Sequence, residues 1–159
     1  MSRARRKDRP AESAGNTGRG RVILYTIAAL FCLVGLADAT YLTVMALTGE
    51  TVACGGQVGC SEVLGSAYSR VAGMPVAAFG VAGYFTAFTF ATFAAFNYAR
   101  ARGLFMVTVG LMFLATLWFL YVQAFILHAF CRYCLFSAAI TFLLAGLVVA
   151  APSPRTAGD

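Results

Sequence analysis

Four long stretches of this chain carry almost no charge, and they decide its class. Residues 71–99 and 103–131 are each 29 residues without a formal charge, residues 133–154 add 22 more, and residues 22–49 are interrupted only by Asp38. Each stretch exceeds the roughly 20 residues that a helix needs to cross the hydrocarbon core of a bilayer. Only helices or closed barrels satisfy the backbone there, and runs this long are helical. The expected fold is therefore all-α, an integral membrane four-helix bundle. The 159-residue chain is 60% hydrophobic and 11% charged. A soluble domain carries about 25% charge, so little chain is left here for a separate soluble core.

The net charge of +6 raises the question of nucleic acid, and its distribution answers it. Seven of the twelve basic residues fall in the first 21 positions: Arg3, Arg5, Arg6, Lys7, Arg9, Arg19 and Arg21. Arg100 and Arg102 separate the second and third apolar runs, and Arg155 follows the fourth. Only Arg70 and Arg132 remain for the opposite side. The positive-inside rule then predicts a multi-pass protein of the cytoplasmic (inner) membrane with both termini cytoplasmic. The basic tail reads as a topology signal that also meets anionic lipid, not as a nucleic-acid site. The first apolar run is too long for a signal-peptide core and is expected to remain as a span.

The chain divides accordingly. Residues 1–21 are expected to form a basic, disordered cytoplasmic tail, residues 22–151 the four-helix transmembrane domain, and residues 152–159 a second cytoplasmic tail. The one long loop, of roughly 25 residues, lies outside. Within it, residues 61–69 (SEVLGSAYS) predict a short amphipathic helix with Val63, Leu64 and Ala67 on one face. Gly73-Met74-Pro75 predicts a turn, with Pro75 in the first turn of the second helix.

Four of the five cysteines fall on the outer side: Cys54, Cys60, Cys131 and Cys134. In a bacterium that side is oxidising, and disulfides form and persist there. Cys131-Arg132-Tyr133-Cys134 is a CxxC at the start of the fourth helix. The helix dipole and the Arg132 charge both favour a thiolate at Cys131, and the thiolate is the species that exchanges. Cys54 and Cys60 flank Gly-Gly-Gln-Val-Gly, a mobile stretch that another backbone can approach. A mobile pair beside a helix-anchored pair suits a relay. Two inert disulfides or a four-cysteine zinc site are the blander alternatives, and the spacing between Cys54 and Cys60 fits zinc poorly. Cys32, mid-helix, reads as a small apolar core residue.

The order of these features resembles the bacterial homologues of vitamin K epoxide reductase. The shared pattern is a cysteine pair in the first outer loop, Cys60-Ser61-Glu62-Val63-Leu64, then Gly73-Met74-Pro75 with Phe79-Gly80, then a CxxC opening the last helix. It covers roughly residues 22–150. The resemblance implies an electron path. Cys54 takes electrons from a soluble thiol protein, Cys60 exchanges with Cys131, and Cys134 delivers them to a quinone (menaquinone or ubiquinone). It also implies a separate thioredoxin-like or DsbA-like extracytoplasmic partner, since the chain has no fused thioredoxin-like domain. The animal enzymes bond the quinone through an Asn near the start of helix two and a Tyr one turn after the CxxC. The matching positions here are Val76 and Ala138, which favours reduction of a simple membrane quinone over epoxide chemistry.

A quinone slot is apolar with a few polar groups. Phe79, Tyr84, Trp118, Tyr121 and Phe130 are the candidate walls, and His128 a candidate proton donor. Each also has a simpler reading as packing or as an interface anchor. Asp38 is an intramembrane carboxylate and a functional candidate on that ground, or else a neutral group bonded within the bundle. Three further readings stay open: a DsbB-type enzyme, where the two cysteine pairs come in the reverse order, a structural tetraspan with stabilising disulfides, and a quinone-linked reductase running in the other direction.

Overall fold

The structure, a computed structural model, describes residues 9–48 and 63–150. Four long helices account for most of them. Helix α1 is Arg9–Thr48 and α2 is Val76–Ala95. Helix α3 is Ala99–Tyr121, continued by a π turn at Val122–Ile126, and α4 is Arg132–Ala150. The segments Gly18–Thr48, Val76–Ala95, Ala99–Ile126 and Arg132–Ala150 are each long and apolar enough to cross a membrane. Each helix packs on the next in sequence, and α4 closes the ring against α1.

Small residues build the tightest contact, between α1 and α2. The inward positions of α1 are Tyr25, Ala28, Cys32, Gly35, Ala39 and Leu42, spaced three or four apart. Those of α2 are Tyr84, Ala87, Ala91 and Ala94. This spacing keeps one stripe of each helix against its partner. Small side chains let the backbones approach, which is what drives helix association in lipid. A Cβ on Gly35 would collide with the Tyr84 ring. Large apolar side chains such as Leu30, Phe85, Leu114 and Val149 point outward instead. Most of the helix threonines donate their hydroxyl to the carbonyl four residues back, as Thr43 does to Ala39 at 2.7 Å and Thr92 to Phe88 at 2.9 Å. A polar group in lipid is satisfied in this way within its own helix.

The α2–α3 turn is closed locally. Asn97 adopts a left-handed φ of 71°. Its N–H donates to Ala94 and that of Tyr98 to Phe93, the paired bonds of a Schellman motif. The Tyr98 and Phe93 rings meet edge to face, the apolar contact that accompanies the motif.

Three expectations need adjustment. Helix α1 begins at Arg9 rather than near Val22, so helix replaces the expected disorder over residues 9–21. Pro10 falls in its first turn, where a missing N–H costs nothing, and the rest of the helix contains no proline. Among the described residues the expected loop helix is broken in two, helix over 63–65 and a 3-10 turn at Ala67–Ser69. Ser66 divides them, its hydroxyl bonding back to the Val63 carbonyl at 2.8 Å. Pro75 sits one residue before α2, not inside it. There it ends a two-stranded hairpin, β1 Arg70–Val71 with β2 Met74–Pro75. Ala72 and Gly73 both have positive φ, as the two central residues of a type I′ turn require. Cys54, Cys60, Ser61, Glu62 and both expected tail ends (1–8 and 151–159) lie outside the described residues.

Candidate functional site

The CxxC is positioned by the junction between α3 and α4. Helix α3 does not stop cleanly: its last turn widens to a π turn, a deviation that concentrates at functional sites. His128 takes a left-handed φ of 49° and reverses the chain. Two residues of this junction are tied to Gln123. Its backbone carbonyl accepts from Ala129 N–H at 3.1 Å, and its side-chain Oε1 accepts from Cys131 N–H at 3.0 Å. Gln123 is buried, so this amide fixes Cys131 from below.

Cys131 is the N-cap of α4, because its carbonyl accepts the first helical bond, from Leu135 N–H at 2.9 Å. Its side chain does what N-cap side chains do. The sulfur accepts from the Tyr133 and Cys134 N–H groups and from the Cys134 thiol. These bonds, the Cys134 thiol first among them, lower its pKa to about 6 against the opposing effect of burial. Cys131 is fully buried and packs in a small cluster with Val63 and Ala129, edged by Leu64, Tyr133 and Cys134.

Cys134 also borders a cavity of about 500 Å³. Helix α1 contributes Asp38 and Leu42 to its wall, the loop Leu64 and Arg70, α2 Phe79 and Tyr84, and α3 Phe119 and Gln123. Helix α4 adds Ser137, Ala138 and Thr141. The volume suits a single aromatic ring system, and the wall is apolar with few polar groups. Three of those groups form a network: Tyr84 Oη lies 2.8 Å from Ser137 Oγ, 2.9 Å from the Ser137 carbonyl that it donates to, and 3.2 Å from Thr141 Oγ1. The Asp38 Oδ2 is buried and has no partner among the described residues.

A profile of the vitamin K epoxide reductase family matches residues 26–149, most of the chain. The chain belongs to the vitamin K epoxide reductase family. No curated protein sequence matches it. Membership makes the chain a membrane oxidoreductase of a family that uses quinones. Both positions matched to the animal family members' quinone-binding side chains, Val76 and Ala138, line the cavity.

Of the expected slot residues, the fold brings Phe79 and Tyr84 together with Cys134. Trp118, Tyr121 and Phe130 lie outside the cavity with half or more of their surface exposed. Trp118 stacks on Tyr121, which meets Phe125 in turn, so the α3 aromatics form an outward ladder. His128 also lies outside the cavity, in the reversing turn. Two buried polar residues were not singled out by sequence: Gln123 and Thr141. Gln123 had a signal, since it is the only amide in an uncharged run and sits eight residues before Cys131.

Proposed function

We propose that this protein oxidises thiols outside the cytoplasmic membrane and passes the electrons to a membrane quinone. Electrons enter from a separate thioredoxin-like or DsbA-like protein at Cys54 and move through Cys60 to Cys131 and Cys134. The observation that carries this reading is the division of labour within the CxxC. The Cys131 sulfur accepts three hydrogen bonds at a helix start, and Cys134 borders a mostly apolar cavity. One member is suited to thiol exchange and the other to the acceptor. The loop also supports a link between the pairs. Val63 packs on Cys131, and Cys60 precedes Val63 by three residues, a tether of at most about 11 Å.

The residues suited to hold a quinone are Phe79, Tyr84 and Phe119 on the walls, with the Tyr84, Ser137 and Thr141 hydroxyls for its oxygens. A bound quinone takes up two electrons and two protons. The chain's own part is to dock it beside Cys134, keep bulk water away and hold the thiol pair in register. With the basic residues cytoplasmic, both cysteine pairs are extracytoplasmic. A disulfide made there is delivered to secreted proteins.

The test uses purified protein, a reduced thioredoxin-like donor and short-chain ubiquinone or menaquinone. Wild type reduces the quinone, and Ala at Cys54, Cys60, Cys131 or Cys134 brings the rate to background, while Cys32→Ala is without effect. A small dithiol donor rescues the Cys54 and Cys60 variants but not the other two. If no donor gives quinone-dependent oxidation and the variants differ only in stability, the disulfides are structural.

A further inference from the structure

The cavity wall holds an ionisable group that the relay does not use. Asp38 is the sole formal charge in the first apolar run, and it lines the cavity that Cys134 also lines. Its Oδ2 is buried without a hydrogen-bond partner among the described residues. The nearby hydroxyls of Tyr84, Ser137 and Thr141 are engaged with one another. An ionised carboxylate so placed is costly, whereas the neutral acid is tolerated and has a proton to give. Among the described residues, the other titratable or charged groups around Asp38 are Tyr84 on α2, Tyr133 and Cys134 on α4, Cys131 just before α4, and, on the cavity wall, Tyr68 in the 3-10 turn and Arg70 on the hairpin. Helix α3 presents none to the cavity. Charge on Asp38 opposes the Cys131 thiolate, so the site favours one negative charge over two.

We propose that Asp38 stores one of the two protons of the reduced cysteine pair and releases it to the electron acceptor as the disulfide forms. The inference rests on the quinone reading above. In the reduced protein Cys131 is the thiolate, Cys134 the thiol and Asp38 the protonated acid. When the S–S bond forms, two electrons leave the sulfurs, and the Cys134 and Asp38 protons leave with them. The acceptor, a quinone, departs as the quinol. The negative charge passes from the Cys131 sulfur to the Asp38 carboxylate, so the cysteine pair and Asp38 together carry one negative charge before and after. On re-reduction the donor dithiol supplies two electrons and two protons, one proton returning to Cys134 and one to Asp38.

Infrared difference spectra of the full chain in lipid nanodiscs, cycled between dithiol and disulfide by chemical reductant and oxidant, test the store without quinone. A protonated-carboxyl band appears on reduction, and Asp38→Asn abolishes it. In a parallel assay Asp38→Asn slows quinone reduction about 100-fold, the scale of a lost proton donor, and Asp38→Glu recovers part of the rate. If Asp38→Asn does not fold, a change in the frequency of the band in Asp38→Glu makes the same assignment. A spectrum with no carboxyl band, a band that persists in Asp38→Asn, or Asp38→Asn turning over at the wild-type rate overturns the proposal. Wild type that turns over without the band removes the proton store and leaves the relay. A band in wild type that reduces no quinone removes the acceptor and leaves a proton store coupled to the disulfide.

Discussion

The two ends of the bundle are built on opposite principles. At the basic end the helices close tightly. The α2–α3 turn is a Schellman motif, and Asn97 Oδ1 accepts from Arg21 at 2.8 Å and from Arg102 at 2.9 Å, which ties α1 to the turn. Just inside, Tyr25 and Phe105 meet edge to face in the core. The cysteine end is instead held open. A π turn, a left-handed His128 and a hairpin with two positive-φ residues mark this end, which holds a cavity of about 500 Å³. The Schellman cap satisfies the last carbonyls of α2 and closes that end. The irregular end leaves N–H groups to stabilise a sulfur and space to admit a ligand. In this bundle the CxxC sits where the packing is incomplete.

The largest expected effect is on Cys131 itself. Its folded pKa, about 6, lies below the roughly 8.5 of an unperturbed thiol. The thiolate therefore persists at neutral pH and is lost as pH falls through 6. Its stabilisation of the reduced fold is fully present above the unfolded value and disappears over the same descent. Site-resolved iodoacetamide labelling of reduced protein carrying Cys54→Ala and Cys60→Ala should titrate at Cys131 with a midpoint near 6. A midpoint near the roughly 8.5 of a free thiol would erase the difference between the reactive end and an ordinary helix start.

Next comes the link between the ends. Gly35 lies mid-bundle, and Gly35→Ala forces the Tyr84 ring out of its seat. Overpacking of this kind costs about 1–3 kcal/mol. The displaced ring also breaks the hydroxyl network with Ser137 and Thr141 at the cavity wall. Both a lower thermal midpoint and weaker binding of a quinone analogue are expected. Lost stability with unchanged binding would show that the cavity does not depend on the α1–α2 contact.

The sequence is legible unevenly, and along the same division as the structure. Four spans, a turn near Gly73 and the helix-start position of Cys131 follow from local rules, since run length, turn chemistry and spacing are written along the chain. The turn expected over Gly73-Met74-Pro75 nonetheless falls at Ala72-Gly73, with Met74–Pro75 in a strand. The cavity lining does not follow from local rules. Spans that are apolar on every side carry no hydrophobic stripe to mark their inward face. Trp118 and Tyr121 are aromatic and near the right depth, yet they face outward, and α3 turns Met112, Thr116 and Phe119 to the cavity instead. The inward stripe shows only through small residues at Ala28, Gly35 and Ala39, and through isolated polar ones at Asp38 and Gln123. Each isolated polar residue in a uniform apolar run thus carries more information than the aromatics do.

The smallest effect belongs to the closed end, and it separates two contributions there. Asn97→Ala places an ordinary side chain at a φ of 71° and removes the oxygen shared by Arg21 and Arg102. The left-handed conformation alone costs an alanine about 1–2 kcal/mol. Asn97→Gly keeps the backbone comfortable and removes only the shared acceptor, so the difference between the two variants isolates the backbone cost. The acceptor's own share is expected to be small, because exposed guanidinium contacts at a membrane surface exchange readily with water and lipid phosphate. Thermal unfolding in nanodiscs measures both. Thiol oxidation should be unchanged in either variant, because the turn lies at the far end from Cys131 and Cys134. A loss of oxidation rate in Asn97→Gly at unchanged stability would mean that the basic end governs the cysteine end, and the two could no longer be treated as separate constructions.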